Sequence, residues 1–115
     1  MKTVLVIDDE DSIRSLYKEE LEDDGYDVLT AETGKKALDI LDENDVDIIT
    51  LDIRMPEMDG LEFLGEVRKK NKEIPIIVCS AFSSYKQDFS VWGADAYVVK
   101  SSDLTELKNC IKQFV

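Results

Sequence analysis

The chain has 115 residues, 43% of them hydrophobic and 35% charged, with a formal net charge of −12 and no histidine. That length fits one domain, read here as residues 1–115, with room for a single core. The acidic balance argues against nucleic acid, whose phosphates need Lys and Arg, and against anionic membrane surfaces. Without histidine, mechanisms that draw zinc–His, Ser–His or Cys–His chemistry from this chain are excluded.

Taken in order, short apolar runs alternate with helical patterns. Thr3 to Ile7 is continuous, β-branched and closed by acids, and reads as a buried strand. Asp11 to Asp24 follows as a helix with Ile13, Leu16, Tyr17 and Leu21 inward, stopped by Gly25. A weaker strand, Asp27 to Ala31, precedes a helix over Thr33 to Asn44 with Ala37, Ile40 and Leu41 inward. Asp47 to Leu51 is another buried strand; the loop IRMPEMD then leads to a helix from Gly60 to about Asn71, striped by Leu61, Leu64 and Val67.

Pro75 opens a strand ending at Ser80. Ser83 to Trp92 is poor in strong helix formers, so a short, mobile helix is predicted there, with Tyr85, Phe89 and Trp92 on one face and Gly93 as its stop. Asp95 to Val99 is the last strand. Asp103 and Glu106 make a capping-box-like start to a final helix through Phe114, with Leu104, Leu107 and Ile111 inward. Cys79 and Cys110 lie in apolar contexts without metal-like spacing and read as free thiols. No apolar run approaches the ~18–20 residues of a membrane span. The N-terminal run is too short for a secretory signal, which predicts a cytoplasmic protein without membrane insertion. Five strands alternating with five helices predict an α/β fold, a doubly wound parallel sheet with helices on both faces.

The strand ends carry the chemistry. Asp8 with Asp9, Asp52, Ser80 and Lys100 each end an apolar run, and an open parallel sheet binds ligands at the carboxyl ends of its strands. Three converging carboxylates do not all ionise comfortably unless a cation joins them. Oxygen-only ligands favour a hard ion such as Mg²⁺. A hydroxyl and an ammonium beside that ion suit a phosphoryl group, and an ionised Asp can itself be the nucleophile. Phosphoryl transfer onto a carboxylate is the reaction these residue types suggest.

The segments VLVIDDE, LDIRMPEMDG, Ser80-Ala81 after a buried strand, and GADAYVVK resemble the receiver domain of two-component response regulators, in order and over nearly the whole chain. The resemblance implies a flavodoxin-like sheet with strand order 2-1-3-4-5, which sets Asp8 and Asp9 beside Asp52. It implies Asp52 as phosphoacceptor, Mg²⁺ or Mn²⁺ on the side chains of Asp9 and Asp52, Asp8 acting through a metal-bound water, and the Arg54 main-chain carbonyl as a further ligand. Ser80 resembles the switch hydroxyl, Tyr97 the switch aromatic, and Lys100 the lysine that contacts the phosphoryl group. A sensor histidine kinase or a histidine phosphotransfer protein is the implied donor. The implied output is a changed surface around the fourth helix, fifth strand and fifth helix that controls a protein target. A stand-alone receiver acting through protein contacts is the expectation, with assisted self-phosphorylation and autodephosphorylation rather than enzymatic turnover.

Two departures stand out. Receivers usually follow the lysine with proline, commonly in cis; here Ser101 follows Lys100, and a cis bond without proline costs about 2.5–4 kcal/mol. A trans bond, or a strained cis one, is predicted. The stretch from Ser80 to Gly93 is also shorter than the family's usual spacing, which would alter the output surface. Arg54 and Phe82 lie two residues past Asp52 and Ser80 and are placed to influence phosphate lifetime. A Mg²⁺-dependent phosphatase of the haloacid-dehalogenase type is the rival, but Asp52-Ile53-Arg54 lacks its Asp-x-Asp motif. A flavodoxin-like cofactor binder would need a phosphate-cradling loop where Asp8, Asp9 and Glu10 stand.

Overall fold

The computed structural model describes residues 1–52, 60–70, 73–81, 93–101 and 103–115. Its strands are β1 (Thr3–Ile7), β2 (Asp27–Ala31), β3 (Ile48–Leu51), β4 (Ile76–Ser80) and β5 (Ala96–Val99). The helices among the described residues are α1 (Asp11–Asp23), α2 (Gly34–Glu43), α3 (Gly60–Lys70) and α4 (Thr105–Phe114). The helix predicted over Ser83 to Trp92 lies outside the described residues, as do Arg54 and Phe82.

All five strands pair in parallel in the order β2-β1-β3-β4-β5, the flavodoxin-like arrangement. Alternate strand residues supply two cores, since successive side chains point to opposite faces. Leu5, Ile7, Ile49, Leu51, Ile76 and Val78 pack with Ala37 of α2 and with Phe63, Leu64 and Val67 of α3. Val4, Val6, Ile48, Ile77 and Cys79 face the other way, onto Tyr17 and Leu21 of α1 and Leu107 and Ile111 of α4. Both faces are therefore covered, which is why the strands read as continuous apolar runs.

The helix ends show how local chemistry stops and starts the elements. After α1, Gly25 (φ 95°) donates to the Glu22 carbonyl and Tyr26 donates to Leu21 at 3.2 Å, closing a Schellman motif. Thr33 caps α2, its hydroxyl accepting from the Lys36 N–H at 3.2 Å. At α4 the capping box is replaced by a relay. The Asp103 carboxylate accepts from the Thr105 N–H at 2.9 Å, while the Asp103 N–H donates to the Ser101 hydroxyl rather than to Glu106. Ser101 lies closer along the chain and so takes the reciprocal bond.

Two leucines correct the predicted helix faces. Leu16 and Leu61 are 38% and 45% exposed. Each sits about 100° around the helix from the middle of its buried stripe. Those stripes are Ile13, Tyr17 and Leu21 in α1, and Gly60, Phe63, Leu64 and Val67 in α3. The Lys100–Ser101 bond is trans, in line with the absence of proline.

Candidate functional site

The sheet order reverses at β1 and β3, since β1 continues outward to β2 and the chain then returns to its other side. Ile7 is registered with Leu51, so the residues that follow, Asp8 and Asp52, leave the sheet side by side. Hydrogen bonds extend the ladder one step further: Asp8 donates to Ala31 at 3.1 Å and Asp52 donates to Ile7 at 3.0 Å. β4 delivers Ser80 to the same edge, and the Lys100 N–H donates to the Ser80 carbonyl at 2.7 Å.

Asp8, Asp52 and Ser80 are all buried, with 2%, 6% and 1% of their surface exposed. Buried carboxylates need a cation or hydrogen bonds, and both are supplied. The Lys100 ammonium lies 2.7 Å from one Asp8 oxygen and 3.4 Å from an Asp52 oxygen. The other Asp8 oxygen accepts from the Glu10 N–H at 3.0 Å. Lys100 thus bridges the two acids and leans toward Asp8. Burial opposes its charge, but the Asp8 hydrogen bond and the Asp52 charge outweigh that and hold its pKa above the ordinary lysine value.

Carboxylate oxygens of Asp8, Asp9 and Glu10 lie within 4.8 Å of one another, with Asp9 and Glu10 exposed. Asp52 is not in that trio; its link to Asp8 runs through the shared ammonium. Glu10 enters the cluster although it is not among the candidate metal ligands read from the sequence. The donor set, all oxygen and mostly carboxylate, fits a hard divalent cation. Tyr97, opposite Val78 in the sheet, is buried within the core that faces α2 and α3.

A residue missed in the sequence joins this set. Arg14, one turn into α1, donates from its guanidinium to the Asp8 main-chain carbonyl at 2.7 Å and pairs with Asp11. The available signal was a lone cation six residues past Asp8, on the helix that the acids open. The two cysteines are free thiols, Cys79 buried and Cys110 half-buried. No helix among the described residues is long and apolar enough to cross a membrane.

The chain is similar to known proteins in sequence and fold. The crystal structure of response regulator TrrA from Thermotoga maritima in complex with Mg²⁺-BeF is 49% identical, with 100% of both chains covered and a TM-score of 0.94. TrrA in complex with histidine kinase ThkA superposes with a TM-score of 0.92, at 49% identity over 100% of this chain and 99% of that one. Sporulation initiation phosphotransferase F of Bacillus subtilis (strain 168) is 30% identical over 114 residues, 97% of this chain and 92% of that protein. Other curated relatives are longer, and the chain spans 24% of one and 46% of another. With residues 4–112 matching the family model for the response regulator receiver domain, and with its acids and lysine gathered at the switch point of the sheet, the chain belongs to that family.

Proposed function

We propose that Asp52 accepts a phosphoryl group and that the domain relays this event to a protein partner. The observation that carries the reading is the Lys100 ammonium set between Asp8 and Asp52, beside the Ser80 strand end. An Asp52 carboxylate oxygen attacks the donor phosphorus. The P–N or P–O bond to the leaving group breaks, and its electron pair departs with that group, which takes up a proton. Lys100 offsets charge on the phosphoryl oxygens, and the Ser80 hydroxyl donates to one of them. A divalent cation, Mg²⁺ or Mn²⁺, held by Asp9, Asp52 and the Arg54 carbonyl, with Asp8 acting through water, supplies the remaining neutralisation when bound. Asp8 suits the indirect role because both of its oxygens are already engaged, by Glu10 and Lys100.

Hydrogen bonds to a charged group contribute about 1.5–3 kcal/mol each. Inverting a two-state population from 1:99 to 99:1 requires about 5.5 kcal/mol, so roughly two to four such bonds suffice. Ser80 turning toward the phosphoryl group, with Tyr97 following, would carry the change to the surface formed by β5 and α4. A histidine kinase or phosphotransfer protein is the donor, by the precedent of TrrA in complex with ThkA. A protein target reads the changed surface.

The test is incubation with Mg²⁺ and phosphoramidate or acetyl phosphate, followed by intact mass. One phosphoryl adduct is expected, and it should be lost on Asp52→Ala. Steady turnover of phosphate esters with no adduct overturns the reading.

A further inference from the structure

We propose that Arg14 is a positioning residue for the acidic pair: its guanidinium, by holding the Asp8 main-chain carbonyl, fixes the Asp8–Asp9 peptide and hence the place from which Asp9 offers its carboxylate to a divalent cation. The inference rests on the metal-binding reading above and adds a residue to it.

The sheet ladder stops at the end of β1. The Asp8 N–H still reaches Ala31, but its carbonyl lies beyond the strands and takes a side-chain donor instead, Arg14 Nη1 at 2.7 Å. The Arg14 main-chain N–H donates to Glu10 at 3.1 Å, so the residue is anchored in the first full turn of α1 while its side chain curls back under the helix start. Only 15% of that side chain is exposed. Asp8 is thereby held at its N–H, its carbonyl and both carboxylate oxygens. A residue fixed at four atoms leaves the following peptide little freedom. Asp9 is the first side chain after it and belongs to the trio of converging acids.

Charge alone does not account for this placement. A guanidinium close to a metal site repels the metal, yet Asp11 pairs with the same group and offsets that repulsion. What remains is geometric: a planar guanidinium whose Nη1 holds the Asp8 carbonyl while Nη2 is held by the Asp11 carboxylate. Groups that orient metal ligands without touching the metal typically change affinity by about 10- to 100-fold when removed.

The experiment is calorimetric titration with MgCl₂ of wild type, Arg14→Met, Arg14→Lys and Asp9→Ala, with melting in EDTA measured alongside. Arg14→Met should weaken Mg²⁺ binding by about 10- to 100-fold. Arg14→Lys, which keeps one donor, should recover part of the loss. Saturating Mg²⁺ should return the Arg14→Met phosphoramidate adduct rate close to that of wild type. A purely structural Arg14 would lower the melting temperature and leave Mg²⁺ affinity alone, and that result overturns the proposal. So does an adduct rate that stays low at saturating Mg²⁺. Should Arg14→Met fail to fold, Arg14→Lys with wild-type affinity sinks the idea equally. A wild type that binds no Mg²⁺, or an Asp9→Ala that binds it unchanged, instead defeats the underlying metal reading.

Discussion

Lys100 is one cation shared by two buried acids, and that sharing bears on what substitutions do in metal-free protein. Stripping one member from a buried ion pair typically costs 3–5 kcal/mol; with Lys100 still 14% exposed, Lys100→Met should cost about 3 kcal/mol in EDTA. Asp52→Asn should cost little or raise the melting temperature, because the 2.7 Å Asp8–Lys100 contact survives and the repulsion between carboxylates is relieved. Chemical denaturation of the two variants side by side checks the ordering. The pH dependence follows from the same contacts. A basic group with a raised pKa contributes its stability in full below the unfolded value and loses it as pH rises through the folded one. Lys100 therefore withdraws its contribution only above the ordinary 10.5. Burial raises the Cys79 thiol and the Tyr17 phenol, so those groups favour unfolding earlier, as pH passes their ordinary values of 9.0 and 10.0. The difference between wild type and Lys100→Met should thus hold steady through pH 10 and shrink beyond it. A difference that already changes near neutrality would mean instead that burial outweighs the acids and holds the ammonium's pKa below the ordinary value.

The elements were legible because their signals are local. Thr3–Ile7 and Asp27–Ala31 are continuous or half-buried apolar runs with polar stops, and the strands lie where those runs lie. Facing was less legible. Leu16 and Leu61 are strong apolar signals whose helical phase is set by the neighbouring stripe, and only packing on the sheet shows which leucine that stripe leaves out. The site divides the same way. Asp8, Asp52, Ser80 and Lys100 end strands and so could be placed from the pattern, whereas the lean of Lys100 toward Asp8 and the grip of Arg14 depend on side-chain paths that no spacing encodes. The stop after α1 gives a test at this scale. Gly25 has φ of 95° and nothing within 4 Å of an added Cβ, so Gly25→Ala meets backbone strain without a clash. A side chain in left-handed backbone costs roughly 1–2 kcal/mol. Urea unfolding should show that loss, with Mg²⁺ affinity unchanged because the motif sits at the far end of α1 from the acids. An Asn at the same position, better suited to positive φ, should recover part of it.

For the whole molecule, the net charge of −12 means that self-repulsion works against the compact state and that salts raise stability by screening. A specific cation must be separated from that background. A ligand that binds only folded protein stabilises it by mass action, about 2.7 kcal/mol at a hundredfold excess over its dissociation constant. Screening by contrast depends on ionic strength and hardly on which exposed acid is present. Mg²⁺ should therefore raise the melting temperature well beyond NaCl at matched ionic strength, and Asp9→Ala should abolish the excess while keeping the NaCl response. Asp9→Ala should be no less stable than wild type in EDTA, since it removes an exposed acid from a cluster of like charges. An equal gain from the two salts would assign the stabilisation to the general field of the protein. A Mg²⁺ excess that survives Asp9→Ala would move the cation away from the strand-end acids. Only the predicted combination ties the repulsion among Asp8, Asp9 and Glu10 to a bound ion, and makes an unfavourable cluster in metal-free protein the source of affinity.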